Sequence, residues 1–475
     1  MIQKKDRIFS LTKKLISFYV VALFVAVWFG YYNFFAFRTG RIEGGIISVI
    51  IYYIIYSYFG KLYKAFKVGA SQITEIIFSQ FLAIGIADAI LYIECCLIAR
   101  CYVNIFPGLL TAALQLAGMA LWSVVTKQYF ISHITASKTL ILYGRDDVAE
   151  FIQKVQKKYI HLFDITNVVS SRTSLDELEK RINECDTVML YEVDYGMRTE
   201  IMQYCIQEKK TVYMTPRIAD ILISGFENNT MVDTPMIRYE YNYYQPQVYR
   251  NKRALDLAVS ILFLLIMALP MLFIAIVIKL EDGGPVFFKQ KRCTKDGEVF
   301  EILKFRSMIV DAEKDGVARP AVDGDSRITR VGQFIRRYRL DEVPQFINVL
   351  KGDMSLVGPR PERIEHVEEY TRELPEFEYR MRVKGGLTGY AQIYGKYNTS
   401  AYDKLKLDLM YIEKQSLLLD LKLLLLTVKI VFVPESTEGF EEEKSKKIGE
   451  HVLKLNYLDN NKKNEHAYSD RNGQR

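Results

Sequence analysis

Histidine and cysteine are sparse in this 475-residue chain, and neither is arranged to hold a metal. The five histidines are scattered, and the six cysteines (Cys95, Cys96, Cys101, Cys185, Cys205 and Cys293) show no metal-ligand spacing, so no zinc constellation is expected. Two of the cysteines fall inside a predicted membrane span, which argues against a disulfide framework and gives the rest a reducing cytosol. Glycine is missing where a dinucleotide would need it. The turn Gly144-Arg145-Asp146-Asp147 lacks the second and third glycines that let backbone approach a pyrophosphate, and its two acids would repel phosphate. Charge asymmetry is missing around the apolar run Leu257–Ile278: Lys252 and Arg253 precede it, and Lys279, Lys289, Lys291 and Arg292 follow. A simple crossing segment gathers Lys and Arg on its cytoplasmic flank, and this one gathers them on both.

Apolar length and positive charge are abundant. Half of the residues are apolar and the net charge is +7, a balance suited to an anionic membrane surface or phosphorylated substrates. Nucleic acid is not expected, because the hydrophobic spans already account for the charge. Four apolar stretches occupy the first third, at about Leu15–Phe37, Ile46–Phe59, Ile77–Ile98 and Ile105–Phe130. They approach or exceed the roughly 20 residues that a spanning helix requires, the second by extending through Tyr63. Their length and number argue against a cleavable signal peptide. Lysines before the first stretch and between the second and third outnumber the basic residues of the other loops, which places both ends of this four-helix unit in the cytoplasm.

Residues 136–245 read as a degenerate Rossmann-like α/β domain. Short β-rich runs at Lys138–Tyr143, Asp164–Ser170, Thr187–Glu192 and Thr211–Met214 alternate with helical patterns, the signature of a parallel sheet. With its turn unsuited to phosphate, the domain is expected to be structural or regulatory. Residues 246–435 form a mainly helical domain that begins with the apolar run, and 436–475 a polar tail. With residues 1–135 as the membrane bundle, this gives four parts.

The 15 Leu, Ile, Val and Phe residues between Leu257 and Ile278 supply roughly −5 to −9 kcal/mol toward insertion. Pro270 opposes this by about 3 kcal/mol, enough to bend the segment but not to expel it. A complete fifth crossing would strand residues 280–475 outside the cell. A re-entrant helix over 254–280, broken at Pro270 and returning to its side of origin, keeps them in the cytoplasm; a kinked full span is the alternative.

The central polar constellation is Arg336-Arg337-Tyr338-Arg339-Leu340-Asp341-Glu342-Val343-Pro344. Pro344 fits a first helical turn. A carboxylate at a helix start among arginines is expected to have a depressed pKa and to stay ionised, and such a group can act as a nucleophile. A helix cap and a first-turn acid are the plain structural alternative. Upstream, Ile328, Val331, Phe334 and Ile335 form an apolar stripe opposite Arg327, Arg330, Arg336 and Arg337, which fits either a helix in the headgroup layer or one packed on a core. Downstream, Gly352–Arg363 puts two arginines, Arg360 and Arg363, in a stiff proline-rich turn suited to bidentate phosphate recognition, with a surface turn as the structural alternative. Leu419–Phe432 reads as a further interfacial helix, with a core helix as the alternative.

Four motifs in one order carry a resemblance: Lys304-Phe305-Arg306-Ser307-Met308, Asp341-Glu342, Ser355–Pro361 and Leu387-Thr388-Gly389-Tyr390-Ala391-Gln392. Over about Tyr249–Phe432 the chain resembles the bacterial sugar transferases, the monotopic polyprenyl-phosphate phosphoglycosyltransferases, in their large form. The resemblance implies an enzyme of the bacterial inner membrane, multi-pass, with its catalytic domain on the cytoplasmic face. It would transfer sugar-1-phosphate from a UDP-sugar to undecaprenyl phosphate through a phosphosugar–aspartyl intermediate, starting an exopolysaccharide or capsule. Asp341 is then the nucleophile, and Glu342 a catalytic partner and ligand for Mg²⁺. Arg360, Lys396, Lys304, Arg306 and Asp408 are substrate- or phosphate-binding candidates, and Pro270 is the membrane break. Membrane lipids are partners, and polysaccharide assembly or regulatory proteins and a second copy of the chain are left open. The chain departs from the family at Lys384-Gly385-Gly386, where Arg-Pro-Gly is usual, and at Tyr394-Gly395-Lys396, where Asn-Gly-Arg is common. Leu269 stands where a serine often precedes the proline. The rival readings are a glycosyltransferase that moves the sugar alone and a non-catalytic scaffold for polysaccharide assembly.

Overall fold

The structure, a computed structural model, describes residues 2–37, 42–69, 71–133, 135–145, 147–231, 233–238, 246–310, 312, 325–396 and 399–432. The polar tail expected over 436–475 lies outside them. The described chain forms two compact units, one through Thr215 and one from Pro216 onward.

The first unit opens with α1 (Ile2–Val27), which continues through a π-helical turn into α2 (Asn33–Ala36), then α3 (Ile42–Leu62), α4 (Ile73–Ala99) and α5 (Phe106–His133). The segments Ser10–Ala36, Ile42–Leu62, Ile73–Ala99 and Phe106–His133 are each long and apolar enough to cross a membrane, as is Tyr249–Asp282 in the second unit. These helices mark a membrane protein. Lipid offers no hydrogen-bond partner, so polar side chains inside such a bundle must satisfy one another. Gln115 Nε2 donates to Tyr52 Oη at 3.0 Å and to the Val20 carbonyl at 2.9 Å, and Tyr56 Oη donates to Gln80 Oε1 at 3.3 Å.

Beyond the bundle, β1 (Ser137–Tyr143), β2 (Phe163–Ser170), β3 (Thr187–Tyr191) and β4 (Thr211–Met214) make a fully parallel sheet in the order β2-β1-β3-β4. The crossover helices are α6 (Val148–Tyr159), α7 (Leu175–Asn183) and α8 (Tyr195–Gln207). Leu140 and Leu142 face α7 and α8 on one side of the sheet, while Ile141 packs on α6 at the other. That alternation is what two covered faces demand of a central strand. The chain leaves β1 on one side and returns on the other, which makes the sheet doubly wound, in the order found with flavin- rather than dinucleotide-binding sheets. Gly144 closes the first turn because a Cβ there would run into the Glu192 carbonyl oxygen. Its role is close packing against the chain leaving β3.

The second unit begins with α9 (Ile218–Ile223) and an antiparallel hairpin of β5 (Glu227–Met231) and β6 (Thr234–Arg238). α10 (Pro246–Asp282) then runs on as one helix through Pro270, followed by the antiparallel pair β7 (Phe287–Cys293) and β8 (Val299–Phe305). α11 (Arg330–Arg337), a 3₁₀ turn at Leu340–Glu342, α12 (Gln345–Lys351), β9 (Ser355–Val357) and α13 (Ile364–Glu373) come next. A 3₁₀ stretch at Pro375–Arg382, β10 (Gly386–Thr388), α14 (Tyr390–Tyr394), α15 (Ala401–Ile412) and α16 (Leu417–Phe432) complete it. β9 and β10 pair in parallel, and Gly358 and Gly386 lie so close that a Cβ on Gly386 would strike the Gly358 backbone nitrogen.

Both arms of α10 are tied to this unit. On the first arm, Phe263 stacks on Phe346 of α12 with ring centroids 4.2 Å apart, and Asp256 Oδ1 accepts from the Leu356 N–H at 3.0 Å. On the second, Ile274 and Ile278 pack with Phe305 and Ile335. The middle projects, with Leu265 70% and Leu269 78% exposed. The stripe on α11 divides: Ile335 is buried and Val331 packs beside it, whereas Phe334 is left exposed. The core reading therefore holds for half of that stripe.

Candidate active site

α11 ends at Arg337, and Arg339 adopts a left-handed conformation at φ +54°. That conformation is disfavoured for a side chain with a Cβ, by about 1–2 kcal/mol. It reverses the chain, so that Leu340–Glu342 form their 3₁₀ turn directly before α12. Pro344 stands at the N-cap of α12, as its missing N–H allows. The turn delivers Glu342 to two cations from separate elements. Lys304 Nζ of β8 donates to Glu342 Oε1 at 3.0 Å, and Arg360 Nη2, just beyond β9, donates to the same oxygen at 2.6 Å.

The two neighbouring carboxylates are thereby made different. Burial by itself pushes Glu342 upward, but the charges of Arg360 and Lys304 and the Arg360 hydrogen bond outweigh it and hold Glu342 well below the usual carboxylate range. Asp341 moves the other way. Burial, and then the charge of Glu342, raise its pKa, and Lys304, Arg336 and Arg339 offset this only in part. The depression expected from the arginine cluster thus falls on Glu342, because the Lys304 and Arg360 contacts go to Glu342. Among the described residues, no side chain or backbone N–H donates to the Asp341 carboxylate. A basic carboxylate without a salt bridge is a better nucleophile than a paired one.

Behind Arg360 lies a buried charged layer. Arg380 Nη2 donates to the Arg360 carbonyl at 2.9 Å and pairs with Asp408 Oδ2 at 2.7 Å, and Arg380 Nε donates to the same Asp408 oxygen at 3.0 Å. Glu362 lies 3.8 Å from both Arg380 and Arg292, and Arg292 Nη1 donates to the Pro361 carbonyl at 3.2 Å. Asp408 is 1% exposed, and burial pushes it up to about 6 against the pull of Arg380.

Of the residues singled out in the sequence, Asp341, Glu342, Lys304 and Arg360 come together. Asp408 sits underneath and holds Arg380, not a surface open to substrate. Arg306 pairs with Asp282 at the end of α10, so it fastens the apolar helix to β8. Lys396 follows α14, and its backbone N–H donates to Thr399 Oγ1 at 2.7 Å. Pro270 lies in the exposed middle of α10.

Among the described residues, no three His, Cys, Asp or Glu side chains gather around one point. Magnesium does not require such a cage, since it keeps waters and takes one or two carboxylates together with substrate phosphates. Lys304 and Arg360 both engage Glu342 through Oε1. Its second oxygen is a suitable donor for a hard cation that keeps its waters, so the residue fits.

Comparison with known proteins matches residues 247–434 to the family model described as bacterial sugar transferase. An uncharacterized sugar transferase EpsL of Bacillus subtilis (strain 168) is 41% identical over 187 residues, which are 39% of this chain and 90% of that protein. The chain belongs to the bacterial sugar transferase family.

Two further relatives carry more specific names. A UDP-N-acetylgalactosamine-undecaprenyl-phosphate N-acetylgalactosaminephosphotransferase of Aeromonas hydrophila is 44% identical over 183 residues, 38% of this chain and 43% of that protein. A UDP-glucose:undecaprenyl-phosphate glucose-1-phosphate transferase of Escherichia coli (strain K12) is 44% identical over 187 residues, 38% of this chain and 40% of that protein. The match thus spans less than half the length of either. In this member of the bacterial sugar transferase family, sequence reasoning missed Arg380 and the pair Lys252–Asp420, whose atoms lie 2.6 Å apart. The available signal was charge inside otherwise apolar surroundings: Asp420 stands in a leucine-rich helix. A buried charge needs a partner, although only the fold names it.

Proposed function

We propose that the chain transfers a sugar-1-phosphate from a UDP-sugar to undecaprenyl phosphate, with Asp341 as the nucleophile. The observation that carries this reading is the contrast between Glu342, held by Lys304 and Arg360, and Asp341, which receives no hydrogen bond from the described residues. An Asp341 oxygen attacks the β-phosphorus of the donor, and the bridging P–O bond breaks. UMP departs with that electron pair, leaving the sugar-phosphate on the carboxylate. A phosphate oxygen of undecaprenyl phosphate then attacks the same phosphorus and releases the Asp341 carboxylate. Arg360 and Lys304 counter the charge of the diphosphate. A magnesium ion held by Glu342 would add to that neutralisation. The names of the relatives support the choice of donor and acceptor, and the covalent step is this reading's own. Purified chain supplied with UDP-sugars and undecaprenyl phosphate should release UMP; release of UDP would mean transfer of the sugar alone, and no nucleotide release would favour a scaffold.

The same reading takes α10 as a re-entrant membrane helix with the catalytic unit on the cytoplasmic side. Lys252 Nζ, on its first arm, bonds Asp420 Oδ2 at 2.6 Å and the Val357 carbonyl at 2.9 Å. Asp282, at the end of its second arm, pairs with Arg306. At 1.5 Å per residue the 30 residues between these anchors would run about 45 Å if straight, beyond the roughly 30 Å of a hydrocarbon core. Two anchors in one polar unit, with an exposed apolar stretch between them, fit a bend that enters and returns. Single cysteines at Tyr249 and Glu281, in a chain without its native cysteines, should both react with an impermeant maleimide only from the cytoplasmic side. Labelling from opposite sides would establish a crossing.

A further inference from the structure

A second cluster of cations lines an open cleft beside the first turns of α10, formed by Tyr249, Arg253, Lys295, Ser355 and Lys384, with Lys252 and Asp256 at its wall. Two of these cations converge on the end of α12. Arg253 donates through Nη1 to the Val349 carbonyl at 2.6 Å and through Nη2 to the Leu350 carbonyl at 2.8 Å, and Lys384 Nζ donates to the Gly352 carbonyl. Those carbonyls stand at the C-terminal end of α12, where the helix dipole attracts positive charge, and Val349 also accepts from the Gly352 N–H at 3.1 Å. Gly352 lies between the two cations: a Cβ there would sit 3.5 Å from Arg253 Nη2 and 3.6 Å from Lys384 Nζ. A guanidinium has five N–H donors and an ammonium three, so both keep donors beyond these bonds.

The second observation is Ser355. It is 1% exposed, and its Oγ has no hydrogen-bond partner. A buried hydroxyl without a partner is uncommon, and this one lines the cleft. The acids nearby are already used. Asp256 accepts from the Leu356 N–H at 3.0 Å, Asp420 is matched to Lys252, and Asp296 lies 3.6 Å from Lys295 at the rim. The cleft therefore offers donors and positive charge around an unanswered hydroxyl. A compact oxyanion with several acceptor oxygens answers all of these together.

The geometry points to a phosphate-binding site at this cleft, apart from the Asp341 centre, that takes the phosphate of an anionic phospholipid headgroup or of a soluble phosphorylated ligand. Ser355 opens β9 and Arg360 lies beyond its other end, past the bend at Gly358 and Pro359. Tyr249 and Arg253 stand where α10 leads into its apolar run. The site is independent of the proposed transfer reaction.

The test uses the full-length chain in phosphatidylcholine nanodiscs with and without phosphatidylglycerol. Native mass spectrometry reads retained phosphatidylglycerol, and the thermal midpoint is followed against added inorganic phosphate. Ser355→Ala and Lys384→Ala should each weaken the response about tenfold. Lys289→Ala, which removes an exposed lysine of β7, should leave it unchanged. Retained phosphatidylglycerol that depends on Ser355 and Lys384 assigns the cleft to lipid. A phosphate-dependent midpoint with the same dependence assigns it to a soluble ligand. Equal responses in the wild type and both variants, or no response to either probe, would overturn the site. Ser355→Ala removes one oxygen atom only, so a folded variant is available to decide the matter.

Discussion

An Asp341→Asn chain, incubated with Mg²⁺ and a UDP-sugar labelled in its sugar, carries no label on the protein, and its UMP release falls by on the order of 10³-fold or more. The amide keeps the size and most of the polarity of the carboxylate but cannot form the acyl phosphate. Of the two adjacent acids, Glu342 is bound by Lys304 and Arg360 and held strongly anionic, so its lone pairs are poor attackers. Asp341 carries a raised pKa from burial and from the Glu342 charge. Only its ionised form attacks, so the rate should fall on acidification at a higher pH than an ordinary carboxylate would give. Label that persists on Asp341→Asn would place the nucleophile elsewhere.

Arg380→Met should cost the second unit about 3–5 kcal/mol, because it leaves the Asp408 carboxylate buried without its cation. Arg380 is 4% exposed and contacts both Asp408 and the Arg360 carbonyl. The loss should also appear as a raised KM for the UDP-sugar, since Arg360 loses its support. Arg380→Lys, which keeps the charge but not the fork, should fall between. The pH dependence has a definite sign. Burial raises Asp408 to about 6, so in the fold it holds its proton more tightly than in the unfolded chain. Its favourable contribution is complete below the ordinary carboxylate pKa and is lost as pH rises through about 6. Removing Arg380 raises that pKa further, so the deficit measured by thermal unfolding should shrink from about pH 8 to about pH 5. A deficit of equal size at both would refute the assignment.

Much of the fold was legible because local pattern and burial agree. Each expected strand of the parallel sheet falls within one residue of its observed end: the run read as Asp164–Ser170 is Phe163–Ser170, and Thr187–Glu192 is Thr187–Tyr191. Runs of β-branched and aromatic residues between turns leave little choice there. The hairpin of β5 and β6 was not legible, since Glu227–Met231 contains two asparagines and Thr234–Arg238 a proline. The helix expected from Leu419 begins two residues earlier, at Leu417, and buries Leu423 and Leu426.

At the site, adjacent charge made Asp341 and Glu342 conspicuous, but chain proximity misassigned the electrostatics. Arg336 and Arg339 are neighbours in sequence, whereas the cations that hold Glu342 arrive from 38 residues upstream and 18 downstream. The partner of Asp408 lies 28 residues before it. No periodicity encodes such pairings, because long-range register is set by the packing of α10, β8 and β9.

Since Lys252, Asp256 and Asp282 all bond to groups within the second unit, that unit carries its own helix long and apolar enough to cross a membrane. The N-terminal helices need not be what keeps it at the bilayer. They and the parallel sheet are free to have a different history and a different task, and losing them would leave the carboxylate pair joined to the apolar α10.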